Sequence, residues 1–216
     1  MDTKVELPMS TEHADRGTGD GTVAARFGSL AAGTRIHTDT GLVAVEALTT
    51  GSLVLSANES DSDDSPQYRR VIRTLVYREV PLRQVSYLLE GRTIGSCVAD
   101  NLPFWTCEAG WVRAESLNPP DLELVLKDGR AVRCVENEAI RMTNKPAHGW
   151  VANFGGSHLG TELDFTGQMD VVASNVRWKR PKESSADSRL KVTAYGIEVE
   201  DNAPYFIGRA GILVRS

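Results

Sequence analysis

Residues 195–216 read YGIEVEDNAPYFIGRAGILVRS. Two β-rich runs, Tyr195–Val199 and Tyr205–Val214, flank Glu200-Asp201-Asn202-Ala203-Pro204, a polar segment whose Asp, Asn and Pro favour a turn. Only Arg215 and Ser216 follow the second run. A strand in that position closes a β fold, and the first strand of the domain, starting at Ser29, is expected to lie beside the last, bringing Ser216 next to Ser29.

Working outward, Thr34–Thr38 alternates apolar and polar residues, Asp39-Thr40-Gly41 is a turn, and Leu42–Glu46 alternates again, which predicts a hairpin. Gly51–Ser56 adds a strand. Asn58–Gln67 is an acidic, Pro-containing loop. Arg70–Tyr77 and Leu82–Leu89 are β-branched and aromatic runs that predict a second hairpin, joined around Val80-Pro81. Thr93–Ala99, Phe104–Cys107 and Gly110–Val112 are short strands, and Leu122–Leu126 pairs with Ala131–Val135 over Lys127–Arg130. No long amphipathic helix is predicted, so the domain is mainly β.

Residues 1–28 have no hydrophobic period and are rich in Thr, Asp, Gly and Glu, which predicts a disordered leader. Residues 143–190, with Asn144-Lys-Pro146, Gly155-Gly156, Gly160 and Ser184-Ser185, predict a partly packed, irregular insertion in a domain that spans 29–216.

The 216 residues carry a formal net charge of −5, with 41% apolar and 25% charged residues. That balance argues against a general nucleic-acid or membrane-surface binder, because phosphate attracts cationic proteins. No apolar run approaches the ~20 residues of a membrane span, and the first 30 residues lack the apolar core of a signal peptide. A cytoplasmic location is expected. Cys97, Cys107 and Cys134 form no CxxC pair, so neither a disulfide framework nor a metal site is expected, and no cofactor is implied. The cysteines read as reduced and mostly buried, and Trp105 and Trp111 as core aromatics.

Ser29–Leu48 followed by Gly51–Ser56, then Asn101-Leu-Pro-Phe-Trp105 with Gly110–Leu117, then Ile197–Gly208 with Gly211–Val214, resemble in order the blocks of the Hint domain. This is the horseshoe-shaped β fold shared by inteins and the Hedgehog autoprocessing domain. Pro146–Gly149 and Leu163-Asp164-Phe165 are similar to the pretoxin type found before the toxin in bacterial Rhs-like polymorphic toxins. The resemblance implies a nucleophile at the first residue that attacks the preceding carbonyl. It also implies a Thr and a His that polarise and protonate the scissile amide, and a terminal Asn that cyclises with histidine help. These are an activated nucleophile, a proton donor near neutral pH and an oxyanion donor.

At those positions this sequence has Ser29 for the expected Cys, Ala99 for the Thr, Leu102 for the His, Ala203 for a later His, and Arg215-Ser216 for the closing His-Asn pair. Asn101 and Asp201 are candidate remnants, Asp201 reading more simply as a turn residue. The four histidines, His13, His37, His148 and His158, fall at none of the motif positions. Cys107 is weighed as a displaced thiol nucleophile and read instead as a buried, inert cysteine. With Ser216 last, no C-terminal release is expected. The implied function is a catalytically degenerate module that binds or holds a protein partner of a toxin or effector system. The alternative is residual self-cleavage at the Gly28–Ser29 bond by an N-to-O acyl shift.

Overall fold

The computed structural model describes residues 28–57, 66–152, 159–166, 172–177 and 188–216. Within these, β1 (Leu30–Ala31), β2 (Arg35–Thr38), β3 (Gly41–Ala44) and β4 (Leu53–Ser56) precede the long β5 (Gln67–Leu89). β6 (Arg92–Ala99), β7 (Pro103–Thr106), β8 (Gly110–Arg113), β9 (Glu123–Val125) and β10 (Ala131–Ala139) follow. Next come β11 (Arg141–Met142), β12 (His148–Ala152), β13 (Leu159–Asp164) and β14 (Val172–Arg177), and then β15 (Lys191–Val199), β16 (Tyr205–Ile207) and β17 (Ile212–Val214). No α-helix occurs among the described residues. The fold is mainly β, as the alternation predicts.

A 13-stranded sheet contains β1 to β10 and β15 to β17, and β11 to β14 form a separate four-stranded sheet. The 34–46 hairpin forms as β2 and β3, with Ile36 opposite Val43. Its turn needs Gly41, whose φ of +112° is strained for any side chain, and the Thr38 hydroxyl ties it by donating to the Gly41 carbonyl at 2.7 Å. The β9–β10 hairpin likewise forms over Lys127–Arg130, with Val132 opposite Leu124.

Several expectations are corrected. Residues 67–89 are one strand, not a hairpin. Pro81 is tolerated because β5 changes neighbours there, from β15 along Val71–Pro81 to β6 and β10 along Leu82–Leu89. The strand bends at Glu79, which has a φ of +56°. The second run of the closing stretch is two strands, β16 and β17, joined through Gly208–Gly211.

The 143–190 segment, expected to be irregular, carries β12, β13 and β14 in regular antiparallel register. Gly149 stands inside β12 because a Cβ there would meet Ile140 and Leu190. Gly28, assigned to the leader, is packed, as described below; residues 1–27, 58–65 and 178–187 lie outside the described residues.

The expected pairing of the first strand with the last is also not found. β1 lies between β15 and β6, with Leu30 opposite both Tyr195 and Val98, whereas β17 pairs with β16 and β7. The Glu200–Asn202 turn separates the two halves of the closing stretch: one holds the start of the domain and the other joins the β7 side.

Two apolar clusters hold these parts. The larger includes Leu30, Ile36, Val54, Leu102, Phe104, Ile197 and Val214. The smaller, with Ala31, Tyr77, Leu82, Ile140, Val151, Leu163 and Leu190, fastens the four-stranded sheet to β5 and β15. Burying such side chains stabilises by about 1.5–3 kcal/mol each, which explains why the segment after Ile140 packs despite its glycines.

Candidate functional site

The turn from Ala99 to Leu102 collects both ends of the domain. On one side the Ala99 N–H donates to the Ser29 carbonyl at 2.8 Å. On the other, β7 starts at Pro103, whose carbonyl accepts the Arg215 N–H at 3.2 Å. Ser29, Ala99 and Leu102 are 2%, 3% and 0% exposed, so the place where the first residue of the domain meets this turn is closed to water.

Gly28 is held on two faces. A Cβ built on it would lie 2.5 Å from Leu102 Cδ1 and 2.9 Å from Leu102 Cα. Gly196, in the middle of β15, takes the other face: a Cβ there would stand 3.2 Å from Tyr77 Cε2 and 3.4 Å from the Gly28 carbonyl oxygen. Glycine at both positions is what lets the backbone pass between the Leu102 turn and β15. The Gly28–Ser29 peptide is therefore enclosed by Leu102, Ala99, Gly196 and Tyr77. Three of these have apolar or no side chains, and the Tyr77 hydroxyl is buried with no hydrogen-bond partner among the described residues.

The C-terminal side has its own contacts. Tyr205, fully buried on β16, shares a hydrogen bond between its phenol oxygen and Ser216 Oγ at 3.0 Å. Burial pushes the Tyr205 phenol up to about 12, the Ser216 contact opposing it. Tyr205 is opposite Val214, and Ala203, before the start of β16, closes the Glu200–Asn202 turn with its N–H on the Glu200 carbonyl at 3.1 Å. Arg215 stacks its guanidinium 5.2 Å from the Trp111 ring centre, and Trp111 packs edge-to-face with Trp105 at 5.1 Å. Both tryptophans are half-buried, which corrects their assignment to the core: they line the outside of β7 and β8.

The turn is braced by an ionic network. Asp100 accepts hydrogen bonds from Arg83 Nε at 2.8 Å and from Arg189 Nη1 and Nη2 at 2.6 and 2.8 Å. Arg83 also reaches Asn137 Oδ1 at 2.7 Å, and Asn137 Nδ2 donates to the carbonyls of Ala114 and Leu117. Burial alone would raise the Asp100 carboxyl; the hydrogen bonds and charges of Arg189 and Arg83 outweigh it and hold the group below its usual value.

The remaining candidates are elsewhere or inert. Asn101 lies half-buried at the tip of the braced turn. Asp201 has a left-handed φ of +59° and faces outward to Arg69 at 3.4 Å, in keeping with a turn residue. His37 Nε2 bonds the Gly208 carbonyl at 2.8 Å, and His148 bonds Pro146 and approaches Asp164. His13 and His158 lie outside the described residues. Cys97 and Cys134 are buried, their thiols pushed up to about 12 and about 11 by desolvation. Cys107 is exposed, not buried, and partial desolvation of its sulfur together with the negative charges of Glu108 and Glu123 raises its pKa, so it is a poor thiolate source.

Ser29, Ala99 and Leu102 thus meet at one turn, and Arg215, next to Ser216, bonds the backbone just after it at Pro103; Ala203 and Asp201 lie on the Glu200–Asn202 turn instead. The sequence reasoning missed Tyr77, Gly196, Arg83, Asn137 and Arg189. Gly196 carried a legible signal, a glycine inside a β run, whereas Arg189 gave none because its partner lies 89 residues away.

Solved structures with this architecture are inteins and intein-like domains. The bacterial intein-like domain from Clostridium thermocellum matches with a TM-score of 0.55 at 21% identity, covering 87% of this chain and 98% of that one. The DnaB intein from Synechocystis matches with a TM-score of 0.53 at 13% identity over 88% and 99% of the two chains. The gp41-1 intein gives 0.51 at 13% identity over 88% and 98%. No protein-family model matches the chain, and no curated protein matches it significantly. At these identities the likeness shows the fold: this chain has the Hint, intein-like β fold.

Proposed function

We propose that this chain is a Hint-type domain whose self-processing chemistry is lost and whose remaining role is to bind or hold a protein partner. The observation that carries the proposal is Leu102, fully buried against Gly28 where the resemblance asks for a proton-donating imidazole. Ala99 at the polarising position brings no hydroxyl to the same peptide. Ser29 replaces a thiol with a hydroxyl that is almost entirely un-ionised at neutral pH. Among the described residues both histidines are bonded elsewhere.

The magnitudes point one way. One missing oxyanion donor costs on the order of 3 kcal/mol of transition-state stabilisation. A missing general acid costs a further ~10²–10⁴-fold in rate. The pretoxin-like segments Pro146–Gly149 and Leu163–Phe165 support a partner from a polymorphic-toxin or effector system.

A second reading, residual cleavage at Gly28–Ser29, is favoured by one feature: the peptide still enters the fold between Leu102 and Gly196 and is tied by the Ser29 carbonyl. Hydroxylamine separates the two, because it captures an ester at Ser29 and releases a fragment visible on a gel. The inert domain gives no fragment in wild type or in Ser29→Ala. A fragment in wild type that Ser29→Ala removes establishes the second reading instead.

A further inference from the structure

Strands β10, β5 and β6, neighbours in the sheet, carry a patch of oxygen donors away from the Gly28–Ser29 peptide. Register places them. β10 runs along β5 without a shift from Glu136 to Ala139, with Glu136 opposite Ser86 and Glu138 opposite Gln84. On the other edge of β5, Gly95 is opposite Ser86 and Cys97 is opposite Gln84. Residues directly opposite each other in an antiparallel ladder project to the same face. Glu136, Ser86 and the bare Gly95 therefore form one row across the strands, and Glu138, Gln84 and Cys97 form the next.

Gln84 leans from its own row into the neighbouring one. A Cβ built on Gly95 would lie 2.2 Å from Gln84 Nε2, so the amide fills the space that Gly95 leaves beside Ser86. Ser86 is fully buried, and among the described residues neither its hydroxyl oxygen nor the buried Gln84 Oε1 has a hydrogen-bond partner. Buried oxygens left in this way are costly. Glu136 and Glu138, both half-buried, add two carboxylates to the same face at i and i+2. A water would satisfy the neutral oxygens but would leave the repulsion between the carboxylates. A cation that takes oxygen ligands answers both.

The donors select the ion. Two are charged oxygens and two are neutral ones, a set suited to a hard divalent cation; zinc prefers nitrogen and sulfur, and Cys97 on this face is a buried thiol. Long, adaptable Glu and Gln side chains suit the about 6–8 loosely placed ligands of calcium, with water entering from the half-exposed side, better than the strict octahedron of magnesium. We propose that Glu136, Glu138, Gln84 and Ser86 form a calcium site on this face of the β5–β10 ladder. It lies on the reverse side from the Arg83–Asn137 hydrogen bond that braces the Ala99–Leu102 turn. Its donors come from two strands far apart in sequence, so no local spacing marks them.

Isothermal titration of the chelator-treated full chain with calcium chloride tests the site. One saturating site is expected, with a Kd of about 0.1–1 mM, and magnesium binds about tenfold more weakly or less. Calcium at about 10 mM raises the melting temperature by about 3 °C or more. Glu138→Gln weakens binding about tenfold or more, and Ser86→Ala about threefold or more. In chelator Ser86→Ala melts no lower than wild type, because its hydroxyl has no bond there to lose. No saturable heat up to about 10 mM calcium, magnesium bound as tightly as calcium, or binding indifferent to both substitutions overturns the proposal; in the last case the acidic stretch Asn58–Gln67 holds the ion. A Ser86→Ala chain as destabilised in chelator as in calcium overturns it too, since the hydroxyl would then be structural.

Discussion

Leu102→Ala tests whether the leucine at the centre of the site is there for packing. The side chain is fully buried in the larger core cluster and touches Gly28. Its backbone is fixed independently, the N–H donating to Ala99 at 3.2 Å and the carbonyl accepting from Ala114 at 2.8 Å, so truncation leaves the turn in place. Removing three carbons forfeits about 2.4 kcal/mol of transfer free energy at ~0.8 kcal/mol per group, and the residual cavity brings the total to about 3–4 kcal/mol. Partial collapse of the Gly28 backbone into the space sets the lower end. Urea unfolding followed by tryptophan fluorescence reads the loss as a lower midpoint at constant slope. Leu102→His loses a similar amount, because its ring nitrogens enter an apolar pocket, and burial keeps the imidazole neutral, so its deficit grows as pH falls. A Leu102→Ala loss below about 1 kcal/mol, or a Leu102→His domain as stable as wild type, would refute the reasoning. Either outcome would mean that the pocket still suits a polar group.

Other expectations follow from the same contacts. In a double-mutant cycle, Asp100→Ala and Arg189→Ala couple by about 2 kcal/mol, less than a fully buried pair because both side chains keep some solvent contact; additive losses would deny the brace. Since Asp100 titrates below its usual value in the fold, that stabilisation is complete above about pH 4 and is lost as pH falls through the folded pKa. His37 behaves differently: burial lowers its pKa, the Gly208 carbonyl opposes this and Lys127 adds to it. Its contribution is therefore full above about pH 6.5 and declines below it, so His37→Gln flattens the fall in melting temperature between about pH 7 and pH 5. An unchanged slope would contradict this. Tyr77→Phe removes a buried hydroxyl without a partner among the described residues and raises stability by about 1 kcal/mol; a loss of that size would reveal a bond that the hydroxyl makes.

Much of the fold was legible where local chemistry decides it. The 34–46 and 122–135 hairpins were marked by alternation and by glycine turns, and the order of blocks near Ser29, Leu102 and Tyr195 pointed to the intein-like architecture. Misreadings arose where tertiary pairing overrides local signals. Val80-Pro81 reads as a break, yet β5 continues because its neighbours change at that point. The glycines of 143–190 read as irregular, yet Gly149 admits Ile140 and Leu190 to the β12 backbone. Within the site, Ser29, Ala99 and Leu102 were found by motif position, but which strands sit side by side is a long-range property. Thus Ser29 is expected beside the last strand, whereas its neighbours are β15 and the Ala99 turn. The brace from Arg189 to Asp100 was illegible for the same reason.

The central claim is that the enclosed Gly28–Ser29 peptide is no longer a scissile bond. Intact-mass spectrometry of the untreated full chain, sampled over days at neutral pH beside Ser29→Ala, tests it most directly. The account predicts a single full-length mass for both proteins throughout. A growing fragment that begins at Ser29, present in wild type and absent from Ser29→Ala, would contradict it.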